Sequence, residues 1–263
     1  MGLTAASQRA SPDQLPDSRV WDGKTGFWKT LRIKTGARGR GRGNSPGVPV
    51  SAFRVGVVSD THGFFDPKLA LLLRGSRLIL HAGDICGVEV LEQLSTLAPV
   101  QAIYGNCDVN PLTAQLPSWR VEQIGAFRVL VLHDLGRPIR PREPAQKLIE
   151  QVRPTVVVSG HSHQSALEIV DGVFFVNPGS AGRKRFKLIR SAAVLLCAEE
   201  CIDARVYSLE TDVPKMIARR RFRMTSNAAP LYRSDPGATM APDRLGRRGH
   251  TAGASKRMAG TSK

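Results

Sequence analysis

The chain has 263 residues, of which 41% are hydrophobic and 23% charged, so a globular domain is expected and a wholly disordered chain is excluded. Its net charge of +16 raises the question of a nucleic-acid partner, but this charge is unevenly distributed. Residues 1–52 carry nine Lys and Arg against three acidic residues, residues 211–263 carry twelve against three, and residues 53–210 carry seventeen against sixteen. The basic character therefore belongs to the two ends of the chain.

The sequence shows no signal for export or for membrane insertion. It has no apolar stretch of about 18 residues, so no membrane span is expected, and its N-terminus lacks the apolar segment of a secretory signal. The four cysteines include no CxxC pair. We therefore expect a cytoplasmic protein with reduced thiols and no membrane partner.

The N-terminal segment is rich in Gly, Arg, Pro and Ser, including the stretch GARGRGRG. This composition predicts a disordered extension over residues 1–52, with residues 27–33 as its only apolar interruption. Two other hypotheses stay open: the extension tethers the protein to RNA or DNA, or translation begins downstream, near Val48 or Val50.

From Phe53 onward, β-branched apolar runs alternate with amphipathic segments, which predicts alternating strands and helices. Strands are predicted in FRVGVVS, RLILHAG, VQAIYG, FRVLVL and TVVVSG, helices near residues 67–74, 88–97 and 143–152, and shorter strands at 166–170, 173–177, 192–197 and 202–208. This order predicts an α/β domain over residues 53–210, with a largely parallel sheet and a second, more antiparallel sheet formed by the later strands. The composition beyond it predicts a disordered basic tail over residues 211–263.

Five of the predicted strands end at residues that can bind a metal ion. These residues are Asp60, His62, Asp84, Asn106, His133, His161 and His163. Each motif taken alone is more often turn chemistry, but four of the six histidines in the chain occupy such positions. Because ligand sites of parallel sheets lie beyond the carboxyl ends of the strands, we expect the seven side chains to meet in one crevice.

Imidazole, carboxylate and amide ligands suit divalent ions better than they suit ions that prefer thiolates. Seven ligands exceed the needs of one tetrahedral ion and fit two ions about 3.5–4 Å apart, with a carboxylate between them. The sequence therefore predicts two divalent metal ions, with Mn²⁺ as the first choice and Fe²⁺, Zn²⁺ or Ni²⁺ as alternatives.

The motifs VVSDTHG, HAGD, GNCD, the histidine after VLVL, and GHSH followed by VNPGS resemble the calcineurin-like metallophosphoesterase superfamily. They are most similar to its small single-domain bacterial and archaeal phosphodiesterases. The resemblance implies a four-layer α/β/β/α sandwich with two mixed sheets. It further implies one ion held by Asp60, His62, Asp84 and His163, and a second held by Asp84, Asn106, His133 and His161, with Asp84 as the bridge.

The function implied by this resemblance is that of a metal-dependent phosphodiesterase acting on a small phosphodiester or nucleotide-like ester. In this hypothesis a hydroxide that bridges the ions attacks phosphorus in line, and Asp84 and Asn106 are the catalytic residues. Since ligand histidines must be neutral, activity is expected to fall in acid.

Two positions depart from the usual superfamily pattern. Many members carry a histidine after the asparagine of the GN motif, as general acid, where this chain has Cys107. The phosphodiesterase subgroup shares GNCD, so esters with good leaving groups are expected to be favoured. The subgroup often reads His-Gly-His where this chain reads His133-Asp134.

Further residues are candidates for supporting the ligands or for binding the substrate. They are Cys107, Asp108, His81, Ser180 and Arg183. A structural role is an equal or better interpretation for most of them, and the charge run of residues 183–185 either attracts a phosphate or is simply solvated.

Two other classes of function stay open beside the enzyme. The superfamily includes a retromer subunit that uses the fold to bind proteins, so a non-catalytic scaffold is one alternative, although loss of ligands would be expected in that case. The other is a phosphoesterase or nuclease tethered to nucleic acid by its basic tails. A homo-oligomer is compatible with either.

Overall fold

The computed structural model describes residues 53–224, apart from Leu112 and Phe186, together with the backbone of two short strands, Arg19–Asp22 (β1) and Phe27–Thr30 (β2). The other strands are Phe53–Val58 (β3), Leu78–His81 (β4), Val100–Ala102 (β5), Trp119–Ile124 (β6), Phe127–Leu132 (β7), Gly136–Arg137 (β8), Arg140–Pro141 (β9), Val156–Val158 (β10), Ala166–Val170 (β11), Val173–Asn177 (β12), Ser191–Cys197 (β13), Cys201–Ser208 (β14) and Lys215–Arg223 (β15). The helices are Lys68–Leu73 (α1), Val88–Ser95 (α2) and Glu143–Val152 (α3), with a 3-10 turn at Thr113–Gln115.

The strands form two mixed sheets and one small hairpin. The first sheet has the order β15-β14-β13-β3-β4-β5-β1-β2, and the second has the order β11-β12-β10-β7-β6. β3, β4 and β5 are parallel in the first sheet, and β7, β10 and β12 are parallel in the second. Each sheet therefore presents the carboxyl ends of a parallel core, while antiparallel strands lie at its flanks.

Side chains alternate between two cores because successive residues of a strand point to opposite faces. Val55 and Val57 of β3 face the second sheet, where they pack near Val129 and Val156. Val58 faces α1 and α2 on the outer side of the first sheet, and α3 covers the outer side of the second sheet. This arrangement is the four-layer α/β/β/α sandwich that the motifs imply.

The predicted division of strands between the sheets is wrong for two pairs. β7 and β10 were expected in the largely parallel sheet with β3, β4 and β5, but they lie in the second sheet. β13 and β14 were assigned to the second sheet, but β13 pairs with β3 in the first. The two strands of a hairpin are neighbours in the sequence, so their pairing with each other is predictable. Which further strand pairs with the hairpin depends on tertiary packing. β6 was not predicted, although Arg120, Glu122 and Ile124 alternate inward along it, because two of these three residues are charged.

Two predicted domain boundaries also need correction. The tail was predicted to begin at residue 211, yet β15 pairs with β14 along most of its length. Its only buried residue is Phe222, so it lacks the alternation that marks a half-buried strand. At the other end, β1 and β2 interrupt the predicted extension and pair with each other. The remaining residues of both predicted tails lie outside the described part of the chain.

Within the described residues, no helix is long and apolar enough to cross a membrane.

Candidate metal centre

The predicted ligands lie at the carboxyl ends of strands from both sheets rather than at the edge of one sheet. The residues that follow β3, β4 and β5 come from the first sheet, and those that follow β7 and β10 come from the second. The two sets meet because the backbone N–H of His161 donates to the Asp60 carboxylate, at 3.3 and 3.1 Å from its two oxygens. The Gly160 N–H donates to the His133 carbonyl at 3.0 Å.

Most of these residues have a left-handed backbone conformation, which is uncommon for residues other than glycine. Positive φ angles are found at Asp60 (53°), His62 (47°), Asp84 (55°), His161 (66°) and His163 (57°). Such backbone strain costs about 1–3 kcal/mol at each residue and clusters at functional sites. The grouping of five such residues at neighbouring strand ends is what a binding site would be expected to show.

Asp60, His62 and His163 form the first group of donor atoms, and their ligand atoms lie within 4.8 Å of one another. The His163 Nε2 lies 3.2 Å from the His62 Nε2 and 3.3 Å from the Asp60 Oδ1. Both imidazole nitrogens can act as metal ligands in the neutral ring. The geometry fits a divalent ion.

Asp84, Asn106, His133 and His161 form the second group. The His133 Nε2 lies 3.3 Å from the Asp84 Oδ1 and 3.1 Å from the Asn106 Oδ1, and the His161 Nδ1 lies 2.9 Å from the same Asn106 oxygen. The second Asp84 oxygen lies 3.8 Å from the His62 Nε2 of the first group. Asp84 thus stands between the two groups.

Hydrogen bonds on the outer nitrogens of two histidines leave their inner nitrogens available as ligands. The His133 Nδ1 donates to the Ala82 carbonyl at 2.7 Å, so the Nε2 lone pair faces Asp84. The Cys86 thiol donates to the Cys107 carbonyl at 3.4 Å and lies 3.5 Å from the His62 Nδ1. Burial raises the pKa of the Cys86 thiol to about 12, so it stays protonated beside that ring.

The charge state of Asp84 also suits a cation. Burial alone would raise the pKa of this carboxyl group, but hydrogen bonds from His133, in the protonated form of its ring, and from the Cys107 N–H hold the pKa well below its usual range. The Cys107 N–H lies 2.8 Å from the Asp84 Oδ1. Asp84 is therefore an anion across the physiological range of pH.

Glycine is required where one ligand loop crosses another. A Cβ at Gly105 would lie 2.2 Å from the Asp84 Oδ1, and one at Gly160 would lie 1.9 Å from the Ser59 Oγ and 2.7 Å from the Asp60 Oδ2. No real side chain tolerates such distances. The bare backbone at these two positions allows the loops to bring their ligands together.

Asp108 supports the two loops that carry Asp84 and Asn106. One carboxylate oxygen accepts the N–H groups of Ile85 and Cys86 at 2.8 and 2.7 Å, and the other accepts the Gly105 N–H at 2.7 Å. The side chain is buried. Of the two roles that the sequence allowed, structural support of the turn matches these contacts.

Replacing Asp108 by Asn should weaken the three hydrogen bonds to its carboxylate, because an amide group presents an N–H to at least one of the three donors. We expect unfolding by urea to show a loss of about 2 kcal/mol, and Mn²⁺ affinity measured by calorimetry to fall about 10- to 100-fold. Asp212→Asn, at an exposed position, is the matched control and should change neither. Unaltered metal affinity in a destabilised Asp108→Asn protein would contradict the supporting role.

His81 is fully buried beneath the site and does not face the cluster of donors. Its Nε2 lies 3.0 Å from the Thr61 Oγ1, and its Nδ1 accepts the Gly83 N–H at 3.3 Å. Both ring nitrogens are thus used to hold the loops after β3 and β4. Burial lowers the pKa of His81 from 6.5 to about 3.

This shift predicts that acid destabilises the metal-free protein. Below pH 6.5 the unfolded chain binds a proton at His81 that the folded protein does not bind until about pH 3. Stability should therefore fall as the pH drops through this window, by up to about 1.4 kcal/mol per pH unit from this group. Urea unfolding at several pH values should show a shallower slope in His81→Gln. Equal slopes for the two proteins would refute the assignment.

Three other candidate residues of the site have defined contacts. The Ser180 hydroxyl donates to the Asp60 carbonyl at 2.8 Å, so this residue supports the backbone of a ligand. The Arg183 guanidinium lies over the Phe64 ring, 4.8 Å from its centre. Cys107 comes within ligand distance of His62 and Asp84, and burial raises the pKa of its thiol.

Two residues near the site were missed by the sequence reasoning. Cys86 was interpreted as a small core residue, but its contact with His62 and its positive φ of 61° place it beside the cluster. Asp134 was noted only as a departure from a motif, and its carboxylate lies 3.7 Å from the His161 Nε2. Its position directly after His133 was the available signal.

Comparisons with known proteins identify the family of the chain. Residues 53–200 match the calcineurin-like phosphoesterase superfamily domain. The chain is similar to a probable metallophosphoesterase of Methanothermobacter thermautotrophicus, with 31% identity over 177 residues that cover 64% of this chain and 99% of the relative.

Solved structures confirm the fold. The chain is similar to vacuolar protein sorting 29 of Cryptosporidium parvum, with a TM-score of 0.57 and 21% identity over 66% of this chain and 100% of that one. It is also similar to the zinc complex of Vps29 from Entamoeba histolytica, with a TM-score of 0.54 and 24% identity over 65% of this chain and 100% of that one.

Proposed function

The chain belongs to the calcineurin-like phosphoesterase superfamily, and from this premise we propose that it is a phosphodiesterase that works with two divalent metal ions. The observation that carries the proposal is the convergence of donor atoms from five loops and two sheets on one small space. This is more than a single ion needs, and every predicted ligand takes part.

The two donor groups described above would hold one ion each. Asp60, His62 and His163 supply the first, and Asn106, His133 and His161 supply the second, with Asp84 shared. A pair of divalent ions would supply a nucleophilic water of lowered pKa and would neutralise the oxygens of a bound phosphate. Nitrogen and oxygen donors without an obligatory thiolate fit Mn²⁺, Fe²⁺, Zn²⁺ or Ni²⁺, with Mn²⁺ as our first choice.

The side chains of the protein position the reaction. The Asn106 amide oxygen faces His133 and His161, which leaves its nitrogen, 3.3 Å from the Cys107 Sγ, on the side open to substrate. That amide is a hydrogen-bond donor for a phosphate oxygen. Because burial raises the pKa of the Cys107 thiol, it is a weaker proton donor than an imidazolium would be. Diesters with good leaving groups, such as aryl esters, should react fastest.

The experiment that tests the proposal joins metal analysis to turnover. The full-length protein is loaded with Mn²⁺, freed of unbound metal, and assayed with bis(p-nitrophenyl) phosphate. We expect about two equivalents of metal per chain and hydrolysis that stops when a chelator removes them. Metal binding without hydrolysis of any ester would favour the scaffold alternative, and absence of metal binding would show that the site is misassigned.

Tethering to nucleic acid by the tails is a separate hypothesis, and β15 changes how it is tested. A truncation at residue 211 would remove an entire strand of the first sheet, so a shortened protein should end after Met224. β1 and β2 also belong to the first sheet, so the shortened protein should keep residues 18–224. If the tails bind RNA, the full chain should show a steep loss of affinity with salt, and this loss should be weaker in residues 18–224 with Arg38, Arg40 and Arg42 replaced by Gln.

A further inference from the structure

The loop that follows Ser180 is fixed against the candidate metal centre at its first residues. The Ala181 N–H donates to the Ser59 carbonyl at 3.0 Å, and the Gly182 N–H donates to the Asp60 carbonyl at 3.1 Å. A Cβ at Gly182 would lie 2.6 Å from the same Asp60 oxygen. The loop therefore leaves directly from the backbone of a predicted metal ligand.

The other end of the loop is held by Arg190. Its guanidinium donates to the Asp66 Oδ2 at 2.8 Å, to the Glu210 Oε1 at 3.3 Å and to the Leu209 carbonyl at 2.9 Å. Its backbone N–H also donates to Glu210, at 3.1 Å. With both ends fixed, the basic residues between them have a defined position beside the site.

Three of the five basic side chains of this loop have a partner, whereas Arg185 and Lys187 have none among the residues that the structure describes. Lys184 forms an ion pair with Glu210 at 3.1 Å, Arg190 is paired as described, and Arg183 lies over the ring of Phe64. Arg185 makes no hydrogen bond or ion pair with any residue that the structure describes. An arginine without a counter-ion beside a phosphate site is available to bind an anion.

Arg185 and the predicted ligand His163 line the same pocket. Its wall includes Arg183 and Ser180 on the polar side and Leu188 and Ile189 on the apolar side; we call it the basic pocket.

His163 is shared by the predicted metal site and the basic pocket. Its Nε2 belongs to the first donor group, 3.3 Å from the Asp60 Oδ1, and the residue also lines the pocket. A group in the pocket would therefore lie beside a phosphate held at the first donor group. The apolar wall suits the organic part of the ester that joins them.

We propose that the basic pocket binds a second anionic group of the substrate, a phosphate or carboxylate carried on the organic part of the ester, through the guanidinium of Arg185. This inference rests on the proposed phosphodiesterase function, since it defines the class of diester that the site prefers. A planar guanidinium matches the oxygens of such a group in a two-point hydrogen bond.

The test compares two esters that differ only in the second anion: the p-nitrophenyl ester of thymidine 5′-phosphate, and the same ester with an added 3′-phosphate. For the Mn²⁺-loaded protein, kcat/KM should be about tenfold higher for the ester with the 3′-phosphate, the smallest gain expected of an exposed charge-assisted contact. Arg185→Gln should reduce this ratio to about one, and Arg185→Lys should retain part of it. Lys187→Gln, an exposed change in the same loop, should keep the ratio.

A binding measurement separates this inference from the proposed function. Calorimetry gives the affinities of thymidine 3′,5′-bisphosphate and thymidine 5′-phosphate for the same proteins. If neither ester is hydrolysed, the phosphodiesterase proposal fails, and the pocket is then judged by whether Arg185→Gln selectively weakens the bisphosphate. If the esters are hydrolysed at equal rates by the unaltered protein, or if Lys187→Gln lowers the ratio as much as Arg185→Gln, the pocket is refuted and the proposed function stands.

Discussion

Asp84→Asn is expected to abolish both metal retention and ester hydrolysis while leaving the fold intact. The change removes the one carboxylate that faces both donor groups, with its oxygens 3.3 Å from the His133 Nε2 and 3.8 Å from the His62 Nε2. An amide keeps the shape and tolerates the left-handed backbone but cannot neutralise a pair of cations. Turnover of bis(p-nitrophenyl) phosphate should fall at least about a thousandfold, with metal content measured in parallel.

Asp171→Asn is the matched control for this experiment. Asp171 is exposed and also has a positive φ, 49° against 55° at Asp84, so both variants place an amide in the same backbone conformation. The control should keep full metal content and activity, and circular dichroism should show both proteins folded. Unchanged turnover in Asp84→Asn would mean that the reaction occurs elsewhere.

Glu122→Leu should cause the largest loss of stability among the changes considered. Glu122 and Arg120 form an ion pair at 2.9 Å between the two sheets, and their side chains are only 6% and 3% exposed. Arg120 also donates to the Ala102 carbonyl of β5 at 3.0 Å, so it links the second sheet to the first. Removing the acid takes the charge of Glu122 away from a buried guanidinium, which should lower the free energy of unfolding by about 3–5 kcal/mol.

The double variant Arg120→Leu/Glu122→Leu distinguishes an unpaired charge from lost packing. Because it removes both charges, it should recover much of the stability lost in Glu122→Leu. Glu168→Leu, an exposed change on β11, should stay within about 0.5 kcal/mol of the unaltered chain. Equal losses in the single and double variants, measured by urea unfolding, would show that the charge is not the cause.

The strand ends were the most predictable part of the molecule. β3, β4, β5, β7 and β10 are short and consist mostly of buried apolar residues, and such runs are readily recognised in a sequence. The ligand residues follow them directly, so the strands and the site were found together. Which sheet each strand joins was not predictable in this way, because the choice depends on contacts between residues far apart in the chain.

Other features were hidden for identifiable physical reasons. β15 carries arginines on an exposed edge, as edge strands commonly do, and this composition is indistinguishable from that of a basic tail. The role of Arg185 depends on which neighbouring charges already have partners, and that is a property of the folded loop. Asp108 looked like turn chemistry, and the structure adds that its carboxylate holds three N–H groups at once.

The left-handed backbone at five predicted ligands sets thermal stability against activity. Each of these residues keeps an unfavourable torsion that glycine would adopt at almost no cost, so His62→Gly or His163→Gly relieves strain at the same time as it deletes a donor. Variants of this kind should be inactive yet lose little thermal resistance, or even gain some. Selection for heat tolerance alone would then tend to erode the metal centre, and a screen that reads only melting temperature would reward its loss.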